Sequence, residues 1–150
     1  MNNEMTPSTS ENVPIEHVAH SHDVVFMRAT PNAEDVLVDV ELCYDTCDPF
    51  AIKARFLRDT PQEIDWLFSR ELLTAGLLQL SGEGDVRIGP STSRPDCLQV
   101  ELETPEGAAR FTAHAEDLKE FLDCSHAMVP RGDESLWIDF EVELGKLASG

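Results

Sequence analysis

Apolar and polar residues alternate along two neighbouring stretches in the first half of the chain. The apolar residues at every second position are Val36, Val38, Val40, Leu42 and Tyr44 in the first stretch and Phe50, Ile52, Ala54 and Phe56 in the second. A period of two with one apolar face indicates a half-buried β-strand. The intervening letters DTCDP contain two aspartates and a proline, which favour a turn. The pattern therefore predicts an antiparallel hairpin.

The charged residues on the other face of this hairpin indicate a register. We expect Glu41 to lie opposite Lys53 and Asp39 opposite Arg55, because this alignment also places apolar residues opposite apolar residues. Opposite charges on adjacent strands stabilise a register modestly.

A third alternating run, over residues 64–68, is predicted to pair with the second strand. It would place Asp65 opposite Arg55, so that this arginine lies between two carboxylates. The letters SRELLTAGLL follow directly and predict a short helix. Ser69 is a suitable N-cap, and Gly76 is the expected stop signal.

A second unit repeats this organisation about 45 residues later. It consists of alternating residues over 98–102 and 109–113, and a further strand around residues 86–88 is predicted between the two units. The turn TPEG joins the two alternating runs and requires a positive φ at Gly107. Matching the faces places Arg110 opposite Glu101, and a helix with an apolar stripe follows from residue 115.

Together these elements predict an α+β fold in which one domain, residues 23–150, contains two antiparallel sheet-plus-helix modules. Residues 1–22 are polar and aperiodic, and we interpret them as a mobile N-terminal extension. The C-terminal pattern over residues 136–144 fits either a strand or a helix. We expect extended chain to Ile138 and an extra helix from Phe140.

The net charge of −18 narrows the classes of function. Such a chain repels nucleic-acid phosphates and anionic lipids, so neither partner is expected. No apolar run approaches a membrane span, and the absence of a secretory signal predicts a cytoplasmic protein. The glycine-rich letters GEG lack the rest of a phosphate-binding loop, and we find no catalytic motif. We therefore predict a protein that is not an enzyme.

The cysteines and histidines do not form a recognisable ligand pattern. Cys43 and Cys47 flank the predicted turn, but no second cysteine or histidine pair follows at a zinc-like spacing. We interpret the thiols as reduced and structural, and we expect neither a metal nor a cofactor. The histidines of the N-terminal extension, His17, His20 and His22, lack surrounding groups that could orient a metal site.

Several short motifs, taken in order, resemble the SsgA-like family of actinomycetes. They are YDT at 44–46, DPFA at 48–51, SRELL at 69–73 with Gly76, GxGDVRI at 82–88, TPEG at 104–107, the stretch from Leu118 to Leu122, and VP at 129–130. Their order and spacing hold from about residue 42 to residue 132. The resemblance is looser towards the C-terminus and absent over residues 1–22.

The resemblance implies a non-enzymatic regulator of sporulation-specific cell division, which acts as an adaptor at division septa. It implies FtsZ and other SsgA-like proteins as partners, a whirly-like fold and a homotrimer. Membrane association would occur only indirectly, through the division machinery. The whirly-like fold also suggests an alternative, a single-stranded nucleic-acid-binding protein, which the charge of the chain opposes.

We expect a partner to bind at the family turns and at the start of the first helix. Arg70 and Arg87 have no acidic cross-strand partner in the predicted registers, so each could bind a carboxylate of another protein. Trp137 lies on the polar side of its segment and is either an exposed contact or a core residue. The candidate partner-binding residues are Asp48, Pro49, Arg70, Glu71, Asp85, Arg87 and Trp137.

Overall fold

A computed structural model describes residues 16–30 and 33–138 of the chain. Seven strands, two α-helices and a short 3-10 helix follow one another along it. They are β1 (Ala19–Thr30), β2 (Ala33–Asp45), β3 (Ala51–Phe56), β4 (Ile64–Ser69), α1 (Arg70–Gly76), β5 (Val86–Pro90), β6 (Cys97–Thr104), β7 (Gly107–His114), α2 (Ala115–Met128) and the 3-10 helix Glu134–Trp137. The predicted α+β class is confirmed.

All seven strands form one antiparallel sheet in the order β4-β3-β2-β1-β7-β6-β5. Each predicted module is present: β1 to β4 precede α1, and β5 to β7 precede α2. The modules are joined because β1 pairs with β7, with Phe26 opposite Ala113. The two halves therefore share a single sheet, which curls around the helices. The more specific whirly-like description stays a prediction.

The apolar residues of alternate positions face the helices and form one core. Leu42, Ile52 and Val100 are buried there with Leu73 from α1 and Phe121 from α2. Both helices lie on this inner face of the sheet. The polar residues at the intervening positions point to the opposite, outer face, as the period of two requires.

The predicted register between β2 and β3 is wrong by two residues. Glu41 lies opposite Arg55 rather than Lys53. The physical reason is that two consecutive turns fill residues 45–50, closed by the bonds from the Asp48 N–H to the Asp45 carbonyl and from the Ala51 N–H to the Asp48 carbonyl. A shift of two residues keeps every side chain on its predicted face.

The other predicted registers are confirmed. Arg55 lies opposite Asp65 in the β3–β4 pair. In the second module Arg110 lies opposite Glu101. Gly107, in the turn between β6 and β7, has a φ of 127°, a conformation that glycine adopts without a steric penalty.

The ends of the described chain differ from the expectations. Strand β1 begins at Ala19, so residues 19–22 belong to the sheet rather than to an extension. Just before it, the Val18 N–H donates to Thr46 Oγ1 at 2.9 Å. Residues 134–137 form a 3-10 helix and not extended chain. The predicted helix from Phe140 lies outside the described residues. No helix in the described part of the chain is long and apolar enough to cross a membrane.

Candidate interaction surface at the start of helix α1

Helix α1 begins where the sequence predicted. Ser69 adopts an extended conformation, and its hydroxyl accepts a hydrogen bond from the Leu72 N–H at 2.9 Å. This N-cap satisfies one of the backbone donors that a helix leaves unpaired at its start. The Arg70 N–H donates to the Phe50 carbonyl at 2.7 Å. The helix start is therefore attached to the end of the β2–β3 loop.

Arg70 is buried, which contradicts its predicted role as an exposed, unpaired arginine. Its side chain is only 1% exposed and forms an ion pair with Glu134 at 2.7 Å. One nitrogen also donates to the Ser125 carbonyl at 3.0 Å and to the Val129 carbonyl at 2.8 Å. Charged groups of this kind are stable in a core when they are paired and hydrogen-bonded. Arg70 therefore holds α1, the end of α2 and the 3-10 helix together.

Tyr44 packs against Arg70 and completes this buried cluster. The Arg70 guanidinium lies 4.9 Å from the centroid of the Tyr44 ring, a distance at which a cation is attracted to an aromatic face. The Tyr44 hydroxyl donates to the Pro49 carbonyl at 2.8 Å. Burial raises the pKa of Tyr44 to about 12, although Arg70 acts in the opposite direction. Pro49 is itself fully buried, so it shapes the loop and is not accessible to a partner.

Exposed residues surround this buried cluster. Glu71 accepts two bonds from the Arg131 guanidinium, at 2.6 and 2.7 Å. Asp48 lies on the loop, and Phe50, next along the chain from Pro49, is 49% exposed. The region therefore presents an acid, an aromatic ring and a bidentate ion pair on segments that Arg70 connects.

Trp137 takes one of its two predicted roles, that of a core residue, although it lies on the polar side of the alternating pattern. Trp137 is partly buried and packs against the core, whereas Leu136 is 70% exposed. The 3-10 helix causes this reversal because it replaces the period of two with a period of three. Leu136 therefore replaces Trp137 as the accessible apolar residue of this segment.

The remaining candidates, Asp85 and Arg87, belong to the start of β5. Arg87 lies opposite Glu101 in the β5–β6 pair and approaches its carboxylate at 3.5 Å. The prediction that Arg87 lacks an acidic cross-strand partner is therefore wrong. The structure brings the candidates on the β2–β3 loop and on α1 together with the 3-10 helix, but it does not add Asp85 and Arg87 to that group.

Sequence reasoning missed Phe50, Arg131 and Leu136 on this surface, and it also missed Glu134, the buried partner of Arg70. Glu134 is 64 residues from Arg70 along the chain, and no local pattern indicates such a pair. A buried cation requires an anion, but the chain has 29 acidic residues from which to choose.

A metal centre is absent from the described residues. They contain no group of three or more histidine, cysteine or acidic side chains placed to hold a metal ion. The four cysteines lie within the described ranges, and none of them forms a disulfide there. The Cys97 sulfur lies 3.9 Å from His114 Nδ1, a distance typical of a weak contact.

Comparison with known proteins gives consistent matches over both modules. A family model described as Streptomyces sporulation and cell division protein, SsgA, matches residues 38–134. The sporulation-specific cell division protein SsgB of Saccharopolyspora erythraea is 39% identical over 132 residues, which cover 88% of this chain and 94% of that protein. SsgB of Streptomyces coelicolor is 37% identical over 123 residues, or 81% of this chain and 90% of that protein.

A solved structure agrees with these sequence matches. The crystal structure of an SsgA-like sporulation-specific cell division protein from Thermobifida fusca has a TM-score of 0.77 and 35% sequence identity. The alignment covers 89% of this chain and 98% of that chain. The match to the family model begins within β2 and ends at Glu134, so it includes every residue to which Arg70 is hydrogen-bonded.

Proposed function

The chain belongs to the SsgA family of sporulation and cell division proteins, and from this premise we propose that it is a non-enzymatic adaptor that helps to position the sporulation septum. Family membership confirms the resemblance that the short motifs indicated. The relatives are sporulation-specific cell division proteins, so a role in sporulation cell division applies to this chain as well. The adaptor activity and its partners go beyond these names and form the proposal.

The proposed partners are FtsZ and other SsgA-like proteins, which bind through protein–protein contacts. We place the protein in the cytoplasm at division septa, where it reaches the membrane only indirectly, through the division machinery. The observation that supports an adaptor is the exposed surface at the start of α1, which we call the α1 surface and define as Asp48, Phe50, Glu71, Arg131 and Leu136.

The α1 surface has the features of a protein-binding site. It combines exposed apolar side chains with an arginine–carboxylate pair, and aromatic residues and arginines contribute strongly to interfaces. The bonds of Arg70 connect the three segments that carry this surface, which are the β2–β3 loop, α1 and the segment around Glu134. A surface that is rigid before binding loses less conformational entropy when it binds.

The experiment measures capture of purified FtsZ by the wild-type chain and by a double variant, Phe50→Ser with Leu136→Ser. We expect capture to weaken at least about tenfold, because central apolar contacts dominate interface energies. Leu78→Ser is the matched control, since Leu78 is exposed but lies beyond the end of α1. Equal capture by the double variant and the wild type would exclude the α1 surface, and no capture by the wild type would exclude FtsZ as a partner.

We also propose that the protein forms a homotrimer, as the family resemblance implies. Strands β4 and β5 are the outermost strands of the sheet. Sheet edges and exposed faces are common places for association between copies.

Nucleic-acid binding is the alternative function, and the charge arrangement does not favour it. On the outer face of the sheet, Arg55, Arg87 and Arg110 all contact carboxylates. A nucleic-acid surface needs an extended excess of cations over acids, whereas this chain has a net charge of −18. The adaptor proposal is therefore preferred.

A further inference from the structure

The two modules carry charged residues at corresponding positions, but with opposite signs. In the first module, three outward residues lie side by side on β2, β3 and β4: Glu41, Arg55 and Asp65. We call this row the acidic ladder. In the second module, three outward residues lie side by side on β5, β6 and β7: Arg87, Glu101 and Arg110. We call this row the basic ladder.

Each ladder is held together by contacts within one chain. In the acidic ladder, Arg55 Nε lies 2.8 Å from Asp65 Oδ1 and its Nη1 lies 3.8 Å from Glu41 Oε1. In the basic ladder, Arg110 Nε lies 2.7 Å from Glu101 Oε2 and Arg87 Nη1 lies 3.5 Å from Glu101 Oε1. An arginine between two acids thus corresponds to an acid between two arginines.

The correspondence follows the internal repeat of the fold. The first two members of each ladder have the same separation along the chain. The third member follows ten residues later in the acidic ladder and nine residues later in the basic ladder. The three positions are therefore equivalent in the two modules, and the charge at each position is inverted.

The charge of the middle residue of each ladder compensates only part of the charge of the two residues beside it. Two acids and one arginine leave the acidic ladder itself with an excess negative charge, and Asp23 extends the row onto β1 opposite Glu41. Arg58 offsets part of this excess, because it lies 2.9 Å from Glu41 and 3.4 Å from Asp23. Glu63 adds a further acid, 3.5 Å from Arg55. Two arginines and one acid leave the basic ladder with an excess positive charge, in a chain whose net charge is −18. Arg110 has a side chain that is 69% exposed, so this excess positive charge is accessible.

One chain cannot bring its own two ladders into contact. Both rows point outward from the same face of one curled sheet, and both α-helices lie on the opposite face. Two rows on one face point away from the sheet and cannot face each other. A partner molecule is required to bring opposite charges together.

We propose that the acidic ladder of one copy docks against the basic ladder of a second copy. Face-to-face alignment would place Glu41 and Asp65 of one molecule against Arg87 and Arg110 of the next, with Arg55 against Glu101. A second copy is the occupant that the charges fit, because complementarity holds at all three positions and not only in net sign. Such a contact is head-to-tail, so repeated copies can close into a ring. This inference rests on the proposed self-association and assigns it a surface.

The experiment measures the molar mass and the self-association constant by light scattering and sedimentation, at about 0.05 M and about 0.5 M salt, since salt screens exposed charges. We expect the wild type to exceed its monomer mass of 16.7 kDa at low salt. The double variant Arg87→Gln with Arg110→Gln should associate at least about tenfold more weakly. Lys119→Gln, on the exposed side of α2, is the matched control and should behave as the wild type.

A pair of charge-reversal variants tests the surface by the recovery of association and not only by its loss. Arg87→Glu with Arg110→Glu makes both ladders acidic, and Glu41→Lys with Asp65→Lys makes both ladders basic. We expect each variant to be monomeric alone and the mixture of the two to associate. Far-ultraviolet circular dichroism of each variant checks that it folds. If either variant does not fold, the comparison of the wild type with Arg87→Gln and Arg110→Gln decides the outcome.

The outcomes separate this inference from the proposed function. A wild type that associates as strongly as the glutamine variant overturns the ladder contact but leaves self-association standing. A wild type that is monomeric at low salt overturns both the ladder contact and the proposed trimer. Capture of FtsZ through the α1 surface is measured separately and is unaffected by either result.

Discussion

Arg70 is the most deeply buried charged residue among those described, and its guanidinium contacts parts of both modules. Its removal leaves Glu134 as a buried carboxylate without its partner and leaves two carbonyls without their donor. Arg70 is therefore a structural residue, and a substitution there reports stability before it reports partner binding.

The first prediction concerns this ion pair. Arg70→Met should lower the free energy of unfolding by about 3–5 kcal/mol, the usual effect of removing one partner of a buried pair. Arg70→Met combined with Glu134→Leu should recover a large part of this loss, because no charge then remains buried. Urea unfolding measures both. The control Arg131→Met breaks the exposed pair with Glu71 and should cost no more than about 1 kcal/mol. A similar loss in this control and in Arg70→Met would contradict the assigned role.

Tyr44 provides the second prediction, because it is the single tyrosine of the chain. Burial raises its pKa to about 12, and Glu134 and Asp48 act in the same direction. The raised pKa means that folding favours the neutral phenol. The resulting stabilisation is present below about pH 10, the pKa of an unfolded tyrosine, and is lost as the pH rises towards 12.

An absorbance titration of the phenolate therefore reports this one group. We expect a midpoint near 12 for the folded protein and near about 10 in denaturant. Circular dichroism at each pH confirms that the chain is still folded. A native midpoint at the denatured value would show that the ring is accessible to water.

At the scale of elements, α1 packs on β5 through a glycine. A Cβ placed on Gly76 would lie 2.6 Å from Ile88 Cγ2 and 2.8 Å from Ile88 Cβ. The sequence indicated Gly76 as a stop signal, and α1 does end at this residue. Its importance comes from the close approach of the helix to the strand. A left-handed residue does not end the helix here, because the next residue, Leu77, keeps a right-handed helical conformation.

The third prediction follows from this close approach. Gly76→Ala should destabilise the protein by about 1–3 kcal/mol through overpacking, although alanine favours a helix more than glycine does. Thermal unfolding measures the effect. Gly84→Ala is the matched control, because a Cβ at Gly84 meets no atom within 4 Å. An unchanged stability of Gly76→Ala would mean that the helix can move away from β5 without cost.

At the scale of the whole molecule, the net charge of −18 governs encounters with other polymers. The long-range field of such a chain repels polyanions, and arginines that already contact carboxylates release few counterions from DNA. Binding to nucleic acids should therefore be slow and weak at low salt.

The fourth prediction is that the protein does not bind single-stranded DNA appreciably at physiological salt. A mobility-shift titration measures this, with a basic single-strand-binding protein as the positive control. Sub-micromolar affinity that falls steeply with salt would instead support the nucleic-acid alternative.

The sequence by itself determined the features that depend on local geometry. The period of two placed the buried faces of β2, β3 and β6, because successive side chains of a strand point to opposite sides. Ser69 marked the start of α1 because an N-cap acts within a few residues of itself. The second hairpin register followed as well, since its short turn with Gly107 leaves few alternatives.

Only the tertiary structure decided the features that depend on distant segments. The two turns after Asp45 set the β2–β3 register, and a shift of two residues changes no local pattern. The pairing of β1 with β7 joined the modules into one sheet. Arg70 pairs with Glu134, which is 64 residues away along the chain. The cost of burying the charge of Arg70 is offset by the acid that the fold brings beside it. Local periodicity carries no information about that choice.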